Sequence, residues 1–171
     1  MVDLQTRQLA EKLGEVLADL GWKVTAAESC TGGAIAAAIT SVAGASGWFE
    51  GSVVSYADRI KREFLGVDAG DLVELGAVSE TVVRQMAVGV LSRLDANLAV
   101  AVSGVAGPDG GSAEKPVGTV WIGWAHGQGQ EPLQADARLL HFDGDRQQIQ
   151  AQTVIAALNG LLEIAESHRQ R

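Results

Sequence analysis

The stretch Trp22-Lys23-Val24-Thr25-Ala26-Ala27-Glu28-Ser29-Cys30-Thr31-Gly32-Gly33-Ala34-Ile35-Ala36-Ala37-Ala38-Ile39 reads as a strand, a turn and the start of a helix. Residues 22–27 suit a short strand, whereas Ala34 to Ile39 favour helix through alanine propensity. Ser29 therefore falls at a strand-to-helix turn. Gly32 and Gly33 let backbone approach a ligand closely, and the first helical amides aim their positive dipole end at the same place. Such a junction presents the Ser29 hydroxyl or the Cys30 thiol beside free N–H groups, as acyl transfer requires. The same residues also read as an ordinary capped turn, so the assignment depends on the rest of the chain.

Working outward, Leu9, Leu13, Val16, Leu17 and Leu20 recur at helical spacing between an Asp3 cap and Gly21. The pattern predicts a strand at 22–27, a helix over 33–42, a strand at 51–56, and a short helix capped by Asp58 and running to Leu65. Ser79 and Glu80 open another helix, with Val83, Met86, Val90, Leu91 and Leu94 on its apolar face. Leu98 to Val102 is continuously apolar, as in a strand covered on both faces. Runs 117–124 and 135–142 read as antiparallel strands joined through His126–Pro132, and a helix over 145–167 completes the chain. Strands alternating with helices and closing on a hairpin and a helix predict an α/β fold. The sheet is mixed, sandwiched between helical layers in a three-layer arrangement, with residues 1–171 as one domain. Ligands collect outside the carboxyl ends of such strands, where the Ser29 turn, Tyr56 and the Ser103 loop would converge.

Composition excludes several classes of function. The chain has 171 residues, 47% of them hydrophobic and 20% charged, enough for one well-buried core. A net charge of −8 without any Lys/Arg-rich run argues against a nucleic-acid partner. Cys30 is the only cysteine, which rules out an intrachain disulfide and a cysteine-rich zinc site. His126, His141 and His168 lack zinc-ligand spacing, so no metal is expected. The N-terminus has no signal-like run and no segment suits a bilayer, which makes a cytoplasmic protein the expectation, with no membrane partner. A homo-oligomer stays open.

Two further elements could serve chemistry at Ser29. In Tyr56-Ala57-Asp58-Arg59-Ile60-Lys61, an aromatic hydroxyl ends a strand and an amine lies in the first turn of the next helix. A lysine acts as general base only when neutral, and a helix dipole, Arg59 or Arg62 nearby, and desolvation all favour that form. On most proteins such a lysine is simply a solvated surface residue, and such a tyrosine a packed aromatic. Ser103-Gly104-Val105-Ala106-Gly107-Pro108-Asp109-Gly110-Gly111 can fold into an anion-binding nest, although it lacks the Gly-Lys-Ser/Thr of a P-loop and also reads as a plain glycine turn. No G-x-S-x-G elbow surrounds Ser29, and His141 is the one histidine placed to be its partner, so a lysine-assisted serine fits better. Cys30 is the rival nucleophile, since a helix N-terminus lowers a thiol's pKa; as a small buried hydrophobe it would instead face away.

Taken together, Ala27 to Gly33, Gly51 to Lys61, Gly76 to Glu80, Met86 to Gly89, Ser103 to Gly111 and Lys115 to Val120 resemble the CinA C-terminal domain family, the nicotinamide-nucleotide amidases. The resemblance spans most of the chain in order. It implies an α/β/α sandwich that hydrolyses the carboxamide of nicotinamide mononucleotide, a small-molecule nucleotide, without metal or organic cofactor. It places Ser29 as nucleophile, Lys61 as base and Tyr56 as its assistant. Thr31, Gly32 and Gly33 would hold the oxyanion, with Glu28 also counted among the substrate contacts, and Ser103, Gly104, Gly107 and Arg146 would bind the nucleotide. Two positions depart from the family pattern: Asp58 stands where Asn is usual, and Gln150 where a second basic residue follows Arg146. Asp58 would attract the charged form of Lys61, and Gln150 weakens a two-arginine phosphate clamp. The alternative is a catalytically silent module that binds a nucleotide or a partner. Retention of Ser29, Tyr56 and Lys61 together favours the enzyme.

Overall fold

The computed structural model describes residues 2–127 and 132–170. Helix α1 (Leu4–Leu20) starts where the Asp3 side chain accepts the Thr6 N–H and stops at Gly21, whose φ of 64° lies in the left-handed region that favours glycine. There follow β1 (Val24–Glu28), α2 (Ala34–Thr40), β2 (Phe49–Val54), α3 (Asp58–Leu65), α4 (Ala69–Leu75), α5 (Glu80–Arg93), β3 (Leu98–Gly104), β4 (Thr119–His126), β5 (Gln134–His141) and α6 (Arg146–Arg169). The five strands lie in the order β2-β1-β3-β4-β5. β1 runs parallel to β2 and β3, while β4 runs antiparallel to both of its neighbours, β3 and β5. Helices α1, α2 and α6 cover one face and α3, α4 and α5 the other, so the predicted three-layer fold with a mixed sheet is the one found.

Strand alternation makes the two faces unlike. On β3, Leu98, Val100 and Val102 point into the core beneath α1 and α6, where they meet Leu13, Leu17, Ile39, Leu158 and Leu161. The opposite face carries Ala99 and Ala101, joined by Ala125. Small side chains there let α5 lie close to the sheet: a Cβ on Gly123 would sit 2.8 Å from the Val83 carbonyl oxygen. Leu65, Val83, Met86 and Val90 complete that second core. At about 25 cal/mol per Å² of apolar surface, burial on both faces is the main force holding the layers together.

Several boundaries differ from those predicted, each for a local reason. β1 continues to Glu28, which stays in register with Val54 on one side and Val102 on the other. β2 covers 49–54, so Tyr56 lies beyond the strand. Asp58 is the first residue of α3, with Ala57 as its cap. Helix α4 was not anticipated, because it buries none of its residues and so carries no apolar period; the Asp68 side chain starts it by accepting the Asp71 N–H. In the predicted His126–Pro132 connection, residues 128–131 lie outside those described.

Candidate active site

Ser29 leaves the carboxyl end of β1, and its N–H donates to the Val102 carbonyl at 3.1 Å, holding the turn against β3. Lys61, in α3, is 1% exposed and reaches under that turn. Its Nζ lies 3.2 Å from Ser29 Oγ, 2.8 Å from the Ser55 carbonyl and 3.0 Å from the Tyr56 carbonyl. Carbonyl oxygens only accept, so a neutral Lys61 gives its two N–H bonds to Ser55 and Tyr56 and turns its lone pair toward the Ser29 hydroxyl. Protonated, the same amine has a third hydrogen for Ser29 Oγ. The site thus accommodates both states that a proton-transferring group must adopt. Burial is the main reason the ammonium is held below the usual lysine range, and Asp58, with Oδ1 3.6 Å away, opposes that effect. Desolvation, rather than the predicted arginines, does this work: Arg59 is turned to Glu63 at 2.6 Å, and Arg62 reaches Glu63 at 3.5 Å.

The turn is shaped by Glu28, and here the sequence-based assignment needs correction. Glu28 was expected to touch substrate, yet its side chain is fully buried beneath α2. Oε2 accepts the Thr31 hydroxyl at 2.7 Å and the N–H groups of Gly33 and Ile35 at 3.2 and 2.9 Å. Oε1 accepts the Ala36 N–H at 2.9 Å and the Ser52 hydroxyl at 3.1 Å. An anion at a helix N-terminus is favoured by the dipole and by the unpaired amides, and this one comes from the chain itself. Gly32 and Gly33, at φ 60° and 102°, allow the backbone to wrap around the carboxylate. The Gly33 N–H is thereby removed from the predicted oxyanion set, and the Gly32 N–H donates to the Ser29 carbonyl. Among the described residues, the turn amides left without a protein partner are those of Cys30 and Thr31.

Cys30 packs into the core at 5% exposure, and burial pushes its thiol up to about 12, so it stays protonated beside the better-placed serine. Tyr56 differs from its expected role. Its carbonyl holds Lys61, while the ring is 63% exposed and the hydroxyl faces Arg146 Nη2 at 3.4 Å. Arg146, the first residue of α6, also donates to the Gly107 carbonyl at 2.8 Å, which brings the glycine loop, Tyr56 and α6 together. Ser103 does not join them: its buried hydroxyl donates to the Ala77 carbonyl at 2.8 Å. Gly104 serves packing, since a Cβ there would fall 2.7 Å from Val120 Cγ2. Gln150 Nε2 donates to the Cys30 carbonyl at 2.8 Å, clamping α6 to the Ser29 turn. That contact and the Glu28 cap escaped sequence reasoning; the signal for the cap was an acidic residue just ahead of a helix start.

A cavity of about 440 Å³ opens beside Arg146 between Ala106, Pro108 and Gln147. A second, of about 580 Å³, lies across Gln147 toward Ala34 and Gln150. His141 pairs with Thr119 on the edge strand β5, three strands from β1 and so about 14 Å from it, too far to be Ser29's partner. Among the described residues, no three His, Cys, Asp or Glu side chains group as metal ligands, and no helix is long and apolar enough to cross a membrane.

Residues 6–165 match the model of the CinA C-terminal domain. The chain is 49% identical over 162 residues to the nicotinamide-nucleotide amidohydrolase PncC of Enterobacter agglomerans, covering 95% of this chain and 96% of that protein. It is 51% identical over 156 residues to the Pseudomonas putida protein of the same name, covering 91% and 94%. The crystal structure of the competence/damage inducible protein CihA from Agrobacterium tumefaciens superposes with a TM-score of 0.90 at 40% identity, over 95% of this chain and 97% of that one.

Proposed function

The chain belongs to the CinA C-terminal domain family, and from that membership and the Ser29–Lys61 pair we propose that it hydrolyses the carboxamide of nicotinamide mononucleotide to nicotinate mononucleotide and ammonia. The observation that carries the reading is the 3.2 Å approach of Lys61 Nζ to Ser29 Oγ, with two carbonyls aiming the amine. Neutral Lys61 takes the Ser29 proton as Oγ bonds to the carboxamide carbon. The N–H groups of Cys30 and Thr31 hold the oxyanion. The Lys61 ammonium then protonates the amide nitrogen, ammonia leaves, and an ester to Ser29 remains. Water, deprotonated by Lys61, attacks that ester, and the proton returns to Ser29 as the acid is released. Tyr56 contributes its carbonyl to aiming Lys61, and Arg146 faces the nucleotide phosphate from the cavity beside Gly107.

Ammonia release from nicotinamide mononucleotide by the purified protein tests this reading, and tight nucleotide binding without turnover would replace it with the silent module. Nicotinamide riboside is expected to be a poorer substrate by at least about tenfold in kcat/KM, because Arg146 loses its charged partner and the binding energy that positions the amide. Arg146→Ala should narrow that gap; an unchanged ratio would place the phosphate elsewhere. Cys30→Ala should keep kcat/KM within about tenfold, a barrier change of about 1.4 kcal/mol, since the thiol takes no part in the chemistry.

A further inference from the structure

Lys61 is nearly sealed from solvent, yet one edge of its site is open, and a carboxylate stands there. Asp58 lies one helical turn before Lys61 on α3 and is 62% exposed at its side chain, with Oδ1 3.6 Å from Nζ. It does not cap the helix, whose cap is Ala57 with no side-chain hydrogen bond. We propose that Asp58 is a positioning residue for the Lys61 base, its carboxylate governing whether the amine facing Ser29 carries its proton. At this separation an opposite charge favours the ionised form, and the exposure of Asp58 keeps that influence moderate and sensitive to salt.

The other groups around the amine leave Asp58 as its counter-charge. Glu28, from β1, has both carboxylate oxygens turned into the α2 N-terminus. Cys30, from the nucleophile turn, stays a thiol, with its pKa at about 12. The Tyr56 hydroxyl and Arg146, from α6, face each other. On α3 itself, Arg59 and Arg62 both reach Glu63. From α5, Arg84 is held by Glu80 and the Ala135 carbonyl, and Arg93 lies by Gly66 at the far end of α3. The Ser55 and Tyr56 carbonyls hold the amine in either state and burial favours the neutral one, so the carboxylate is the charge that draws the balance back toward the ammonium.

The test is Asp58→Asn, which keeps size and removes charge. The chain has four lysines, so the Lys61 Hε–Cε resonance of ¹³C-lysine-labelled protein can be followed through a pH titration and assigned by its loss in Lys61→Met. In Asp58→Asn the Lys61 midpoint should fall by about one pH unit, and added salt should move the wild-type midpoint toward it. The kinetic arm rests on the proposed serine–lysine mechanism. There the acid limb of kcat/KM should move to lower pH by the same amount, making the variant about fivefold faster one unit below the wild-type midpoint. Coincident resonance midpoints in the two proteins would overturn the proposal, whatever the activity. A midpoint that moves while the kinetic profile stays fixed would uphold the Asp58–Lys61 coupling and instead reject Lys61 as the catalytic base.

Discussion

Ser29→Ala should lower kcat/KM for nicotinamide mononucleotide by about 10³-fold or more, roughly 4 kcal/mol of barrier, while nucleotide binding is retained. The loss is large because no neighbour can replace the hydroxyl: the Cys30 side chain is buried in the core and protonated. Lys61→Met should fall to a similar level, since without the amine nothing accepts the Ser29 proton. The double variant should be no worse than either single one, because nucleophile and base act as one unit. In the wild type, a base held below the usual lysine range must lose its proton to work, so kcat/KM should rise with pH through the free-enzyme pKa of Lys61 and then level. Initial-rate measurements of ammonia release check all of these. An active Ser29→Ala protein silenced by a second Cys30→Ala change would move the nucleophile to the thiol.

Glu28→Ala is expected to cost stability as severely as Ser29→Ala costs rate. It removes one acceptor group serving three backbone N–H groups and two hydroxyls, of which those of Thr31 and Ile35 are buried and the others half-buried. Each buried donor left unpaired costs about 1–3 kcal/mol before relaxation, and water entering the vacated space recovers part of it. A net loss of about 3–5 kcal/mol is therefore expected, lowering Tm by about 10 °C or more for a chain of this length. Glu28→Gln should fall between, because its NH₂ must face N–H donors that need an acceptor. Thermal unfolding followed by circular dichroism measures both. A Glu28→Ala melt within about 3 °C of wild type would mean that the turn keeps its shape by glycine geometry alone.

Much of the layout is legible in the chain because it is local. The period change across 22–39 marks the strand-to-helix turn, and the apolar run 98–102 marks the central strand. Lys61 and Ser29 can be named from sequence for the residue types they offer. What makes them a pair is not local: the burial of Lys61 and its 3.2 Å approach to Ser29 depend on β1 and β2 lying side by side. Tyr56 shows the limit most clearly. Sequence draws attention to side chains, and this residue holds the amine with its carbonyl while its hydroxyl turns to an arginine ninety positions along. Glu28 was misassigned for a related reason, since an acidic residue beside a nucleophile suggests a ligand contact until its five donors are seen. Helix α4 escaped because it packs no residue deeply enough to leave a period.

The ladder joining β1 to β2 also limits how this site can change over evolutionary time. Glu28 stands opposite Val54, so Ser29 and the Ser55 carbonyl leave neighbouring parallel strands at the same level. The level of Ser29 against the Ser55 carbonyl, which holds the Lys61 amine reaching in from α3, is thus set by the hydrogen-bonded ladder. Such a dimension comes in steps: a one-residue slip moves the backbone by about 3.3 Å and turns every side chain of the strand over. Descendants of this sequence have no gradual route to a different level of Ser29 against the Ser55 carbonyl. Their activity can drift through the charges at the open edge of the lysine, where single substitutions act and the lattice is untouched.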